Sequence, residues 1–192
     1  MSLLIIGLII FLSVHSVRIF ADDWRAQQIE HFGLKRWKGL YSLVSIVGFV
    51  LLIWGFGLAR QHPVVLYTPP AFLRHLNALF TLVAFVLVAA AYAPRNHLQA
   101  AIGHPMLAGV KVWAVGHLLA TGMLHDVVLF GAFLLWAIVN FAASRRRDRR
   151  AGTTYAPGAM TGDAVTIVVG VAVWIAFALW LHILLIGVDP LA

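Results

Sequence analysis

The sequence predicts an all-α fold: a polytopic transmembrane helix bundle of about six helices. Three observations predict it. Of 192 residues, 62% are hydrophobic and only 11% are charged, where a soluble domain runs nearer half apolar and a quarter charged. Mean hydropathy is +0.92. The apolar residues gather in six runs without strand alternation, and lipid admits only helices or closed barrels, because the backbone must satisfy its own hydrogen bonds there. An ordinary water-soluble enzyme and a disordered chain are both excluded. The length fits one domain over 1–192.

The runs are 3–20, 40–59, 76–93, 106–124, 127–143 and 164–188. Each approaches the ~20 residues that a crossing needs. Asp22-Asp23 ends the first, Pro94 the third and Arg145-Arg146-Arg147 the fifth. The fourth and fifth almost touch, which predicts a tight hairpin around Gly122, His125 and Asp126. The first run lacks the basic start and small-residue cleavage site of a signal peptide, and it carries His15 and Arg18; it reads as a retained helix. Residues 21–39 hold Trp24, Phe32 and Trp37 among charges, which suits a helix on the membrane surface. Residues 144–163 read as a mobile basic linker.

Charge sets the orientation. Of the 14 Lys and Arg residues, Arg60 and Arg74 flank one side of the bundle and all the others flank the opposite side. The basic side belongs in the cytoplasm, so both termini are expected outside it. The net charge of +7 would suggest nucleic acid in a soluble protein. Here it suits basic loops facing anionic lipid, and no nucleic-acid partner is expected. The absence of cysteine removes disulfides, thiolate nucleophiles, Fe–S clusters and covalently attached haem. No phosphate-binding, dinucleotide-binding, nucleophile-elbow or zinc-protease motif occurs.

Nine histidines then stand out, because an ionisable group in lipid needs a partner or a task. His31, His62 and His97 fall in loops and read as solvated. His15 lies inside the first run, with Arg18 and then Asp22 following on one face. Either it is a neutral ring bonded to a backbone carbonyl, with Arg18 snorkelling, or it is a haem axial ligand with Arg18 pairing a propionate. His117 lies mid-helix, with Trp113 one turn earlier and Gly109, Gly116 and Ala120 nearby. Small residues admit a neighbouring helix or a flat macrocycle. Helix packing accounts for the glycines without explaining the histidine.

Depth tests the pair. Counted from Asp23, His15 lies ~12 Å deep at helical rise; counted from a snorkelling Lys111, His117 lies ~9 Å deep, but ~18 Å if the helix enters at Pro105. The first pairing is compatible with one shared iron and the second fits poorly. His104 precedes Pro105, the favoured first residue of a helix, and reads as a cap or interfacial residue, with a supporting role near a substrate as the alternative. His75 and His182 lie toward the outer ends of their helices and read as snorkelling, or as an outer ligand set. A zinc site has weak support: only Asp126 beside His125 offers a carboxylate.

The stretch from His104-Pro105-Met106 through Trp113-Ala114-Val115-Gly116-His117 to Gly122 resembles the signature of the NnrU family. So does Leu129-Phe130-Gly131 through Trp136-Ala137, ahead of the basic run. His15, Arg74-His75 and Pro94-Arg95-Asn96 are similar too. The resemblance covers most of the chain and is most specific over 104–150. It implies a bacterial integral membrane protein associated with nitrite and nitric oxide reduction. It also implies kinship with 15-cis-zeta-carotene isomerase, which binds haem b through histidines. Carried over by motif, those histidines are His117 and His15. With no cysteine here, a thiolate cannot serve as an alternative ligand.

Three functions therefore compete. One is a non-covalent haem b protein of nitrogen-oxide respiration in the bacterial inner membrane, acting as a redox or accessory component. The second is a haem-dependent cis–trans isomerase of a polyene or carotenoid. The third is a cofactor-free transporter or structural membrane protein, although the paired broken helices typical of transport are not seen. On the haem readings, His15, His117, Arg18, Gly116 and Trp113 form the cofactor site, with His104 and His75 behind them. The partners are lipid and either a lipophilic substrate or a membrane redox protein.

Overall fold

The computed structural model describes residues 1–191. Among them, helices α1 to α9 follow in order: α1 Ser2–Phe20, α2 Asp22–Phe32, α3 Leu34–Arg60, α4 Phe72–Ala90, α5 His97–Ile102, α6 Pro105–Ala120, α7 Leu124–Ala151, α8 Met160–Ala176 and α9 His182–Ile186. A π-helical turn, Phe177–Leu181, joins α8 to α9. The described residues form no strand, only the isolated bridge Val65–Met123. Five helices are long and apolar enough to cross a membrane: α1, α3, α4, α7 and the continuous helix Met160–Ile186. The sixth expected crossing, α6, has 16 residues, or ~24 Å, which is short of a ~30 Å hydrocarbon core.

Several boundaries differ from the sequence reading. Asp22-Asp23 does not merely end α1; the two carboxylates occupy the first turn of α2, where the helix dipole favours negative charge. The helix read over 21–39 forms as α2 together with the first turns of α3. The run at 106–124 ends as helix at Ala120. The basic run does not stop α7, which continues through Arg150. Arginine is a good helix former, so charge ends the apolar stretch without ending the helix. Of the linker read over 144–163, only 152–159 is non-helical, and it is tied down at both ends.

The chain divides into two compact units, one of Met1–Leu66 with Met123–Ala132, the other of Tyr67–Gly122 with the chain from Phe133 onward. In the first unit α1 and α3 pack antiparallel through glycine. A Cβ at Gly48 would lie 2.8 Å from Phe11 N, one at Gly7 2.7 Å from Leu52 Cα, and one at Gly55 2.6 Å from Leu3 C. These backbones touch, as small residues permit in membranes. The opposite face of α1 is bare and apolar, with Ile5, Ile6 and Ile9 43–60% exposed, the distribution expected of a lipid-facing helix.

In the second unit α4 is the shared wall, and α6 and α8 lie antiparallel against it. Gly109 and Gly116 of α6 abut Ala84–Val88 and Asn77–Phe80 of α4, while Gly170 of α8 abuts Val86. Trp174 Nε1 donates to Thr81 Oγ1 at 3.0 Å. Beyond α4, Asn96 is 1% exposed. Its Nδ2 donates to the Ala90 and Ala93 carbonyls at 2.9 and 2.8 Å, and its Oδ1 accepts from Gln99 N–H at 2.7 Å, capping α5.

Candidate functional site

Pro105 opens α6, where its missing N–H costs nothing. His104 holds the N-cap position, as expected, but its side chain makes no cap bond. Its Nε2 donates instead to Asp148 Oδ2 across 2.8 Å. A carboxylate only accepts, so Nε2 carries the proton. The Tyr155 hydroxyl donates to the same oxygen at 2.7 Å, and Arg145 Nη1 stands 3.8 Å from it. Burial first, and the Asp148 carboxylate second, hold the Tyr155 phenol above its ordinary range. Gly103, at φ +78, leaves this corner open; a Cβ there would come within 2.8 Å of Arg145 and Tyr155.

The far end of the same segment is held in a similar way. His97 Nδ1 and backbone N–H donate to the two Asp163 oxygens at 2.6 and 2.8 Å. Ala159 N–H donates to Arg95 O at 2.7 Å. His97, read as solvated, is exposed yet bonded. The segment 152–159, read as mobile, is strapped at both ends by histidine–aspartate pairs.

Deeper along α6, His117 Nδ1 lies 2.8 Å from the Trp113 carbonyl. That oxygen only accepts, so Nδ1 bears the proton and the neutral ring keeps its lone pair on Nε2. The Trp113 and His117 rings stand 5.3 Å apart, and Phe133 meets Trp113 edge-on at 5.6 Å. The space beside Gly116 is filled by Asn77 and Phe80, so this glycine serves helix packing. Lys111, read as snorkelling, places its ammonium 3.8 Å over the Phe141 ring, an attractive position for a cation. Helix α6 starts at Pro105, which sets His117 ~18 Å along it.

In the first unit His15 Nδ1 lies 2.6 Å from the Phe11 carbonyl, which fixes the same tautomer. Phe11 and Tyr41 rings flank it at 4.1 and 5.3 Å. Arg18 Nε reaches Asp22 at 3.9 Å, on the face the spacing predicted. His125 is 5% exposed, 3.6 Å from Asp126 and edge-on to Phe56. Elsewhere, His75 is exposed on α4, and His182 donates from Nδ1 to Val188 O at 2.7 Å. Among the described residues, no group of three or more His, Cys, Asp or Glu could hold a metal ion.

The family model described as NnrU protein matches residues 3–190. The chain belongs to the NnrU family. No curated protein and no solved structure matches it. Two of the NnrU-like features are accounted for by packing. Pro94-Arg95-Asn96 is a junction: Arg95 O receives Ala159, Asn96 caps α5, and Gly162 sits against the Pro94 and Arg95 carbonyls. His104 anchors Asp148. The sequence reading missed Asp148, Tyr155 and Asp163, because their partners lie 44 to 66 residues away and no local spacing signals such a pairing.

Proposed function

We propose that this NnrU-family chain is a b-type haem-binding membrane protein of the bacterial inner membrane, a redox or accessory component of nitrite and nitric oxide reduction. The observation that carries the reading is the setting of His117. A half-buried ring along an apolar helix donates Nδ1–H to a backbone carbonyl, which is the bond that commonly orients a ligating imidazole. The same bond also satisfies a neutral histidine in lipid, so it supports the fit of the donor and leaves the metal to experiment. His15 makes the same bond and is the second donor that the sequence selects. Bound haem would supply a one-electron ferric–ferrous couple.

The chain's own residues have definite tasks on this reading. The Trp113 carbonyl holds the His117 ring in one tautomer, and the Trp113 and Phe133 rings keep water from it. Arg18 is the cation for a propionate. Gly116 brings α6 onto α4. The partners are lipid and either a lipophilic substrate or a membrane redox protein.

The test is an absorption spectrum of the purified protein. A Soret band that sharpens on dithionite reduction is expected, and His117→Ala is expected to abolish or shift it. A protein made with ample haem that shows no Soret band ends the proposal.

A further inference from the structure

At the basic end of the second unit, one cation has no anion among the described residues. Two contacts join α6 to α7 there: His104 Nε2 with Asp148 Oδ2, and Lys111 Nζ with the Phe141 ring. They are seven residues apart on both helices, so they share one face of each and stand two turns, ~10 Å, apart along the axis. The Lys111 ammonium is thus the deeper of the two. It lies one turn, ~6 Å, to the membrane side of Arg145, where the basic run begins. The apolar stretch of α7 closes at Ala143, so this level is the edge of the hydrocarbon, where lipid headgroups begin.

An ammonium carries three donors and accepts nothing. Lys111 meets the Phe141 face at 3.8 Å and makes no hydrogen bond or ion pair with the described residues. A ring face attracts the charge but brings no counter-charge. The carboxylate on this face of α7 is already taken: Asp148 receives His104 and Tyr155, and Arg145 stands 3.8 Å away. Between Asp126 and Asp163 the chain has no other acidic residue, whereas Arg145, Arg146, Arg147, Arg149 and Arg150 crowd the end of α7. On the membrane side of Phe141, Leu135 and Ile138 are exposed, an apolar flank that suits acyl chains.

We infer that the basic end of α6 and α7 binds an anionic phospholipid, with Lys111 as the deep cation on its phosphate. A zwitterionic lipid would hold its own cation against the arginines; an anionic headgroup does not, and basic residues at this level favour it. The inference does not depend on haem. Lipid-stripped full-length protein in neutral detergent is melted with phosphatidylglycerol, phosphatidylcholine or inorganic phosphate, and bound lipid is detected by native mass spectrometry. Phosphatidylglycerol is expected to raise Tm and to remain bound, and the other two to do neither. Lys111→Gln should weaken the phosphatidylglycerol effect at least about fivefold. Lys111→Arg should preserve it, and Arg74→Gln, at the opposite end of the unit, should match wild type. Lys111→Met keeps the stem against Phe141 and reads the same loss if Lys111→Gln does not purify. Equal shifts with both lipids, a shift with phosphate alone, an equal loss in Arg74→Gln, or an undiminished phosphatidylglycerol shift in the uncharged Lys111 variants overturns the inference, as does a wild type that phosphatidylglycerol leaves unchanged.

Discussion

The Tyr155 hydroxyl donates to Asp148 Oδ2, the same oxygen that receives His104 Nε2. A loop residue and a helix-start residue, 51 positions apart, thus converge on one carboxylate at the end of α7. This convergence orders a segment that composition alone marks as loose.

Tyr155→Phe keeps the ring beside Gly103 and deletes only the donor. A loss of about 1 kcal/mol is expected, with faster hydrogen exchange at Thr153 and Ala159, whose amides bond Asp148 O and Arg95 O. Unchanged exchange at both amides would show that the hydroxyl does not order the segment.

The alkaline limb of stability carries a sign. The folded-state pKa of Tyr155 is raised, so its stabilising contribution is complete below the unfolded value of about 10. It is lost as pH rises through the raised value. Phenolate absorbance of the wild type, minus that of Tyr155→Phe, should therefore titrate above the ordinary tyrosine range. A difference spectrum centred at or below that range contradicts the assignment.

Gly55 and Gly57 lie two residues apart on α3 and should behave oppositely. A Cβ at Gly55 meets the Leu3–Leu4 backbone, whereas one at Gly57 meets nothing within 4 Å. Gly55→Ala is expected to cost about 1–3 kcal/mol through overpacking. Gly57→Ala is expected to be neutral or to stabilise by up to about 1 kcal/mol through helix propensity. Thermal melting in detergent compares the two, and equal shifts would refute the α1–α3 contact.

Asn96→Ala removes a cap and two carbonyl ties at once. A loss of about 2–3 kcal/mol is expected in chemical or thermal unfolding. Asn96→Asp keeps the cap acceptor but sets a buried carboxylate oxygen against the Ala90 and Ala93 carbonyls, so it should cost at least as much as Asn96→Ala.

Composition and run length made the helical membrane fold legible, since 18 or more apolar residues in a row leave few alternatives. Pro105 and the end of α4 ahead of Pro94 were legible for the same reason: proline has fixed backbone consequences. The continuation of α7 through Arg145–Arg150 was not, because charge was read as a stop to the helix when it stops only the apolar stretch. The bond of His15 to the Phe11 carbonyl is one of the two readings its position offered, whereas the matching bond of His117 to Trp113 was not foreseen. The pairs His104–Asp148 and His97–Asp163 were invisible, because each joins side chains that only the tertiary fold brings together.

The wall helix α4 contains no glycine, whereas each helix that leans on it has two pressed against α4 or the turn just beyond it. Steric intolerance in this half of the molecule is therefore unequally shared. In a saturation screen, columns 109, 116, 162 and 170 should admit almost nothing larger, while the facing α4 columns drift among aliphatic residues. Divergent descendants of this chain should keep those four blanks long after the surface they press against has changed its lettering.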